Sequence, residues 1–184
     1  MAVGIRQQMT VEAFDQWVAT QDSDYEYIGG ESVSVVSNNY ASQIGMLIGS
    51  FITLFVTQHR LGWVTGADGG YIVDNERYIP DVGFIGVSRQ PQPNRDAYNP
   101  RHPDLAVEVV SPTDDIKQLM IKVSHYLAAG TVVWVVYPDE REVHVYRSGQ
   151  GARIFDEDDT LTTDRLPDFK LPVANIFPAE KESE

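Results

Sequence analysis

Apolar residues recur every three or four positions in three segments of the chain, and each recurrence predicts an amphipathic helix. The first helix is predicted from Thr10 to about Thr20, with Thr10 as a suitable N-cap residue. The second is predicted from about Tyr40 to His59. Its buried stripe is expected to comprise Ile44, Leu47, Ile48, Phe51, Leu54 and Phe55.

The third helix is predicted to follow Ser111-Pro112-Thr113, since proline suits the first helical position and serine or threonine suits the cap. Asp114 and Asp115 would then lie in the first turn, and Gly130 would end the helix. The residues expected to face the core are Ile116, Leu119, Met120, Val123 and Leu127.

Alternating or continuous apolar runs predict the strands. Tyr25 to Val36 is typical of a hairpin that turns at Gly29-Gly30. Further β-like runs are Gly62 to Asp74, Tyr78 to Ile85, Leu105 to Val110, Thr131 to Tyr137 and Glu142 to Arg147. After Gly149 we expect at most one more short strand and then an acidic tail with a frayed end.

The order of these elements indicates an α/β (α+β) fold, a mixed sheet flanked by helices. From Leu105 to Tyr137 the chain reads strand, helix, strand, which predicts a parallel pair joined by a right-handed crossover. Residues 88–103 are rich in proline and carry three arginines against one acid, Asp96. This segment is either a solvated connection or a basic flap over a substrate.

Two acids interrupt runs that otherwise look buried. Asp81 follows Pro80 in the run from Tyr78 to Ile85, and Glu108 lies inside the run from Leu105 to Val110. A buried carboxylate is costly unless it is paired, neutralised or bound to a metal. The pair therefore suggests a divalent-cation site, although Asp81 could instead cap a turn and Glu108 could pair with an arginine.

Composition limits the possible functions. At 184 residues we expect a single domain, residues 1–184, with residues 155–184 as an acidic C-terminal extension. Cysteine is absent, which excludes disulfides and thiolate chemistry. The start lacks an apolar signal core, and the apolar stretch from Ile44 to Val56 looks too short to span a bilayer, so we expect a cytoplasmic protein. A net charge of −13 argues against a nonspecific basic nucleic-acid binder.

Several motifs occur in an order that resembles a known family. They are Tyr25-Glu26-Tyr27-Ile28-Gly29-Gly30-Glu31, Ile79-Pro80-Asp81-Val82, Pro103-Asp104-Leu105-Ala106-Val107-Glu108-Val109-Val110-Ser111-Pro112, and Lys122-Val123-Ser124-His125-Tyr126-Leu127-Ala128-Ala129-Gly130 followed by Trp134 and Pro138. Together they resemble the Uma family of putative restriction endonucleases, within the PD-(D/E)XK nuclease superfamily. The resemblance covers roughly residues 9–147.

The resemblance implies a restriction-endonuclease-like αβββαβ core and hydrolysis of DNA phosphodiester bonds by a metal-activated water. Asp81 and Glu108 would hold Mg²⁺ or Mn²⁺, for which carboxylate oxygens are suitable ligands. The superfamily's lysine normally lies two residues after the second acid, where this chain has Val110. Lys122 is the best replacement, on the flank of the third helix's buried face, and Lys117 is its rival.

Other residues have weaker claims. Glu31 is a third-carboxylate candidate, though a solvated hairpin position is the simpler interpretation, and Gln118 and Tyr126 could lie near the site. The histidines show no metal-ligand spacing, and no serine lies in a nucleophile elbow. The alternative function is a catalytically inactive module that keeps the fold for binding or assembly. A homodimer is expected from Trp134, from apolar strand edges, and from the need of such nucleases to reach both DNA strands.

Overall fold

The computed structural model describes residues 7–35, 37–112 and 114–178, whose strands form two six-stranded sheets and one two-stranded sheet. The helices are α1 (Val11–Val18), α2 (Asn39–His59) and α3 (Ile116–Ala128). The strands are β1 (Gln7–Gln8), β2 (Tyr25–Ile28), β3 (Glu31–Ser34), β4 (Gly62–Thr65), β5 (Gly70–Val73), β6 (Glu76–Tyr78), β7 (Val82–Gly86), β8 (Tyr98–Asn99), β9 (Leu105–Val109), β10 (Val132–Tyr137), β11 (Glu142–Tyr146), β12 (Arg153–Phe155), β13 (Thr160–Thr163) and β14 (Leu166–Pro172).

The core sheet has the strand order β12-β11-β10-β9-β7-β4. The pair β9 and β10 is parallel, as predicted, while β7 pairs antiparallel with both β4 and β9. One face of this sheet shares a hydrophobic cluster with α2 and the other shares one with α3. The path α2-β4-β7-β9-α3-β10 is the expected αβββαβ core. Strands β5 and β6, between β4 and β7, and β8, between β7 and β9, belong to a different sheet.

The second sheet, which we call the hairpin sheet, has the order β1-β3-β2-β6-β5-β8. The predicted hairpin is present, with positive φ angles of 59° and 91° at Gly29 and Gly30. The chain passes from the hairpin sheet to the core sheet between β6 and β7, across Ile79-Pro80-Asp81. The prediction of one continuous strand through Asp81 was therefore wrong, because proline has no N–H for a ladder hydrogen bond.

Residues 88–103 are held to the body by side-chain contacts. Arg89 forms a 2.7 Å ion pair with Asp104, and Trp63 donates its indole N–H to the Gln90 carbonyl oxygen. The segment also contains β8, which pairs in parallel with β5. Apart from this two-residue strand the segment has no regular structure, so it is a connection between β7 and β9, one of the two predicted interpretations. The contacts that fix it to the body could not be predicted, since they join residues far apart in sequence.

The third helix begins four residues later than predicted. Asp114 accepts hydrogen bonds from the Ser111 N–H and hydroxyl, which close a separate turn before the helix. Asp115 is the N-cap residue, and its side chain accepts from the N–H groups of Lys117 and Gln118. Thr113 lies outside the described residues.

The buried face of α3 also differs from the prediction. Its buried residues are Leu119, Lys122, Val123 and Tyr126. Ile116 and Met120, both expected in the core, are exposed. Lys122 therefore lies within the buried face rather than on its flank, because a paired charge can replace an apolar residue there.

The C-terminal region was predicted wrongly. In place of one short strand and a tail, β12, β13 and β14 are followed by a 3₁₀ turn over Val173–Asn175. The region places several side chains in the same cluster as α2, namely Leu161, Leu166, Phe169, Leu171, Val173, Ile176 and Phe177. The predicted frayed end, residues 179–184, lies outside the described residues.

Helix α2 has nearly the predicted bounds, and it extends beyond the apolar stretch from Ile44 to Val56 at both ends. Its 21 residues have a mean hydropathy of 1.4, so length and composition alone would permit a membrane span. One side of the helix packs on the core sheet through Ile44, Ile48 and Ile52. The core helix of a globular protein can have the same length and hydropathy, so these two properties do not assign α2 to a membrane.

Candidate active site

Glu108 lies near the end of β9, in the middle of the core sheet. It shares a strand face with Ala106 and is 7% exposed. The alternation along β9 therefore follows the prediction, with Leu105, Val107 and Val109 on the α2 side. Glu108 points to the side of the sheet that α3 covers.

Asp81 lies at the passage between the two sheets, directly before β7. Its Oδ2 accepts a hydrogen bond of 2.7 Å from the backbone N–H of Val109. Val109 is the next residue after Glu108, so the structure brings the two predicted acids together across neighbouring strands. Asp81 does not cap a turn after Pro80.

Lys122, on α3, extends to the site that Asp81 and Glu108 form. It is 6% exposed, and its Nζ donates to Glu108 Oε2 at 2.8 Å. The ammonium also lies 5.7 Å from the centre of the Tyr78 ring. Glu108 is thus paired with a lysine and not with an arginine. Lys117, the rival, is exposed and does not line this site.

Glu26 is a site residue that the sequence analysis missed. It lies on β2, is 7% exposed, and its Oε1 accepts from Lys122 Nζ at 2.7 Å and from the Ile79 N–H at 2.6 Å. Glu31, proposed instead, is partly exposed on β3 and does not line the site. The available signal was an acid between two aromatic residues in a short strand, Tyr25-Glu26-Tyr27.

These side chains line one pocket of about 260 Å³. Its lining includes five carboxylates, those of Glu26, Asp81, Glu108, Asp114 and Asp115, and one ammonium, that of Lys122. Gln118 also lines it, as the sequence suggested it could. None of residues 88–103 does, so the arginine-bearing segment does not cover this pocket.

Burial raises the pKa values of two of the acids in this pocket. Burial raises the pKa of Asp81 to about 6, against the opposing effects of the Val109 N–H and the Lys122 ammonium. Burial, together with the Glu26 and Asp81 carboxylates, also raises the pKa of Glu108, which Lys122 opposes. Asp81 and Glu108 therefore bind a proton more readily than exposed carboxylates do.

The pKa of Lys122 is raised as well, and for a lysine a raised pKa preserves the charge. Burial acts to lower the pKa of Lys122, but the carboxylates of Glu108 and Glu26 outweigh it and hold that pKa above its ordinary value. Burial and the Glu108 carboxylate raise the pKa of Tyr126, which lies on the same face of α3. Lys122 is therefore a cation and Tyr126 a neutral phenol.

The donor set fits a hard divalent cation. Glu108 Oε1 is buried near the Tyr126 phenol, and no hydrogen bond of normal geometry satisfies it among the described residues, so its lone pairs could be satisfied by a cation. Asp81 supplies a second carboxylate at the same pocket, and carboxylate oxygens are the ligands that Mg²⁺ and Mn²⁺ prefer. Over residues 7–35, 37–112 and 114–178, no three His, Asp or Glu side chains gather as a ready-made metal cluster.

Comparisons with known proteins agree with this fold. No curated protein matches the chain. A crystal structure described as a putative nuclease belonging to DUF820 from Anabaena variabilis matches with a TM-score of 0.83 and 23% sequence identity. The match covers 92% of this chain and 97% of that one, which confirms the predicted nuclease-like fold.

A family model described as Uma2, putative restriction endonuclease, matches residues 11–174. This span includes every residue of the pocket and all three helices. The match confirms the resemblance that the sequence motifs indicated, and the chain belongs to the Uma2 family.

Proposed function

We propose that this protein is a metal-dependent endonuclease of the PD-(D/E)XK type, which hydrolyses DNA phosphodiester bonds with water as the nucleophile. The observation that carries the proposal is the convergence of Asp81, Glu108 and Lys122 on one pocket, with Lys122 bonded to Glu108. Family membership supports a nuclease. The cytoplasmic location stays a prediction.

Each of the three residues has a role in this proposal. Asp81 and Glu108 would hold Mg²⁺ or Mn²⁺, which lowers the pKa of a bound water and stabilises charge on a phosphate. Lys122, a buried cation beside Glu108, would face the phosphate oxygens and stabilise the charge that builds on them. Lys122 thereby takes the place of the lysine expected at Val110.

The charge of the pocket makes the cation necessary for substrate binding as well as for chemistry. Five carboxylates against one ammonium repel a phosphodiester, and the net charge of −13 adds to this repulsion. A divalent cation at Asp81 and Glu108 would offset the charge of these two carboxylates and weaken the repulsion. We therefore expect DNA affinity to depend on the cation.

Cleavage of plasmid and of labelled duplex oligonucleotides with and without Mg²⁺ tests the proposal. We expect cleavage by the wild type and its loss in both Asp81→Ala and Glu108→Ala, with Asp158→Ala, an exposed turn acid, as the matched control. Undiminished cleavage in both site variants would sink this mechanism.

The alternative is a catalytically inactive module that uses the fold for binding or assembly. The specific observation in its favour is the closed ion-pair trio, in which Lys122 is already bound by Glu26 and Glu108. Calorimetric titration with Mn²⁺ separates the two functions. A nuclease should bind Mn²⁺ and lose that binding in Glu108→Gln, whereas wild type that binds no Mn²⁺ would favour the inactive module.

The proposed assembly is a homodimer, but not through Trp134. That side chain is 0% exposed and packs near Phe169 in the core. The outer side of α2 suits the contact better, since Met46 is 73% and Leu54 59% exposed beside a groove of about 850 Å³. Residues 39–59 contain no Asp, Glu, Lys or Arg, so two acidic chains can meet there with little repulsion.

Size-exclusion chromatography with light scattering measures the mass of the protein in solution and so tests the dimer. We expect the mass of two chains for the wild type and of one chain for Met46→Glu combined with Leu54→Glu. The exposed Ile116→Glu on α3 is the control. A wild type of single-chain mass would refute the dimer and would leave the proposed chemistry untouched.

A further inference from the structure

Glu26 connects three separate segments of the chain at the site. Its carboxylate leaves β2 of the hairpin sheet, and Oε1 accepts from both the Ile79 N–H at 2.6 Å and Lys122 Nζ at 2.7 Å. Ile79 belongs to the passage between the sheets, and Lys122 belongs to α3. One buried oxygen therefore links the hairpin, the passage and the helix.

The bond to Ile79 acts on the backbone that leads to Asp81. Ile79 and Pro80 lie outside the strand ladders, and Pro80 has no N–H to donate. The Ile79 N–H is buried and finds its acceptor in Glu26, so the start of this passage is held by a side chain. Asp81 is two residues further along, and its own carboxylate is held by the Val109 N–H.

The bond to Lys122 acts on the ammonium. A lysine side chain has four rotatable bonds and no branching, so its Nζ position depends on its hydrogen-bond partners. Glu108 supplies one partner at 2.8 Å. A cation bound by Glu108 would repel the ammonium, and the second carboxylate, that of Glu26, would then keep Nζ at the pocket.

We propose that Glu26 is a positioning residue for the reaction, which holds the Lys122 ammonium and the Ile79 backbone in place beside Asp81 and Glu108. This inference rests on the proposed nuclease function. A role as third metal ligand is the competing assignment. The geometry does not favour it, because Oε1 already accepts two hydrogen bonds.

The test variant is Glu26→Gln, whose amide oxygen can still accept the Ile79 N–H but lacks the charge that pairs with Lys122. We expect kcat on a labelled oligonucleotide to fall about 10- to 100-fold, as is usual when a supporting hydrogen-bond partner is lost. We expect KM to change less than about threefold, since no substrate contact is removed. Glu31→Gln on the neighbouring strand β3, outside the pocket, is the matched control and should leave both constants unchanged.

Two further measurements separate positioning from other roles. Mn²⁺ affinity by calorimetry should fall by no more than about 100-fold in Glu26→Gln, and abolished binding, as expected for Glu108→Gln, would overturn the positioning role in favour of direct ligation. In urea unfolding without metal, the midpoint of Glu26→Gln combined with Lys122→Met should differ from the sum of the single shifts, since the residues are partners. Additive shifts would overturn the coupling.

Different outcomes test the role of Glu26 and the nuclease activity. Undiminished kcat in Glu26→Gln, with Asp81→Ala inactive, overturns the role of Glu26 and leaves the nuclease intact. A wild type that neither cleaves DNA nor binds Mn²⁺ overturns the nuclease and, with it, a positioning role in catalysis. The double-mutant cycle measured by urea unfolding then still decides whether Glu26 holds Lys122.

Discussion

The ammonium of Lys122 lies 2.8 Å from Oε2 of Glu108, although the lysine belongs to α3 and the glutamate to β9. The helix follows the strand, and its buried face turns back onto the strand's α3-facing side. A lysine on that face therefore reaches the same point in space as a side chain two residues after Glu108 would be expected to reach. The valine at position 110 does not remove the ammonium from the site.

Replacement of Lys122 should destabilise the fold strongly. Lys122→Met leaves the buried carboxylates of Glu26 and Glu108 without their shared cation, and removal of one partner from a buried ion pair costs about 3 to 5 kcal/mol. Urea unfolding in EDTA at pH 7.5 measures this cost. The exposed Lys117→Met is the control and should change stability by less than about 0.5 kcal/mol. Equal midpoints for the two variants would contradict a buried, paired lysine.

Replacement of Asp81 should stabilise the protein in the absence of metal. The pKa of Asp81 is raised to about 6, so the fold binds its proton more tightly than the unfolded chain does. Stability is thus lost as the pH rises from the unfolded value of 3.8 through about 6. Asp81→Asn avoids this loss and can still accept the Val109 N–H.

We expect Asp81→Asn to be about 1 to 3 kcal/mol more stable than the wild type at pH 8 in EDTA, with the difference shrinking towards pH 4. Chemical unfolding at both pH values measures it. Mn²⁺ should raise the wild-type midpoint and leave the variant unchanged. A variant less stable than wild type at pH 8 would show that the Asp81 carboxylate is adequately compensated without metal.

His102 should make the fold sensitive to mild acid. Its Nε2 lies 3.0 Å from Arg89 Nη2, which can only donate, so Nε2 must accept and the proton sits on Nδ1, near the Pro103 carbonyl oxygen. Burial, with the Arg89 charge, lowers the pKa of His102, which the Pro103 carbonyl oxygen and Asp104 oppose. The fold binds this proton less well than the unfolded chain, so stability is lost as the pH falls through 6.5.

The comparison of His102→Gln with wild type between pH 7.5 and pH 5.5 isolates this effect. Wild type should lose more stability than the variant over that range. The exposed His59→Gln controls for removal of a histidine as such, and it should track the wild type. Parallel pH profiles for wild type and His102→Gln would contradict the lowered pKa of His102.

Truncation of Phe169 should show that the C-terminal strands belong to the core. Its ring lies 5.2 Å from Phe55 of α2 and 6.4 Å from Trp134 of β10. Phe169→Ala should cost about 3 to 5 kcal/mol of unfolding free energy, the usual cost of a large core cavity. The exposed neighbour Lys170→Ala is the control. Equal stability of the two variants would mean that this segment does not support the core.

Several elements could be predicted from local pattern. Thr10 caps α1, the hairpin turns at Gly29-Gly30, and β9 pairs in parallel with β10. In each case the information lies in neighbouring residues, through cap chemistry, turn chemistry or periodicity. Other features depend on groups that are distant in sequence and could not be predicted. They are the late start of α3, the contacts of residues 88–103 and the packing of residues 153–178.

The sequence by itself determined the two acids, their strand neighbourhoods and the family, because ordered motifs and interrupted apolar runs are visible in one dimension. Only the tertiary structure decided that Lys122 is buried beside Glu108 and that Glu26, not Glu31, completes the ion-pair trio. Glu26 lies 82 residues before Glu108 and in a different sheet, so no local pattern specifies their common partner. That meeting depends on how two sheets and a helix pack, and burial then makes each charge depend on the others.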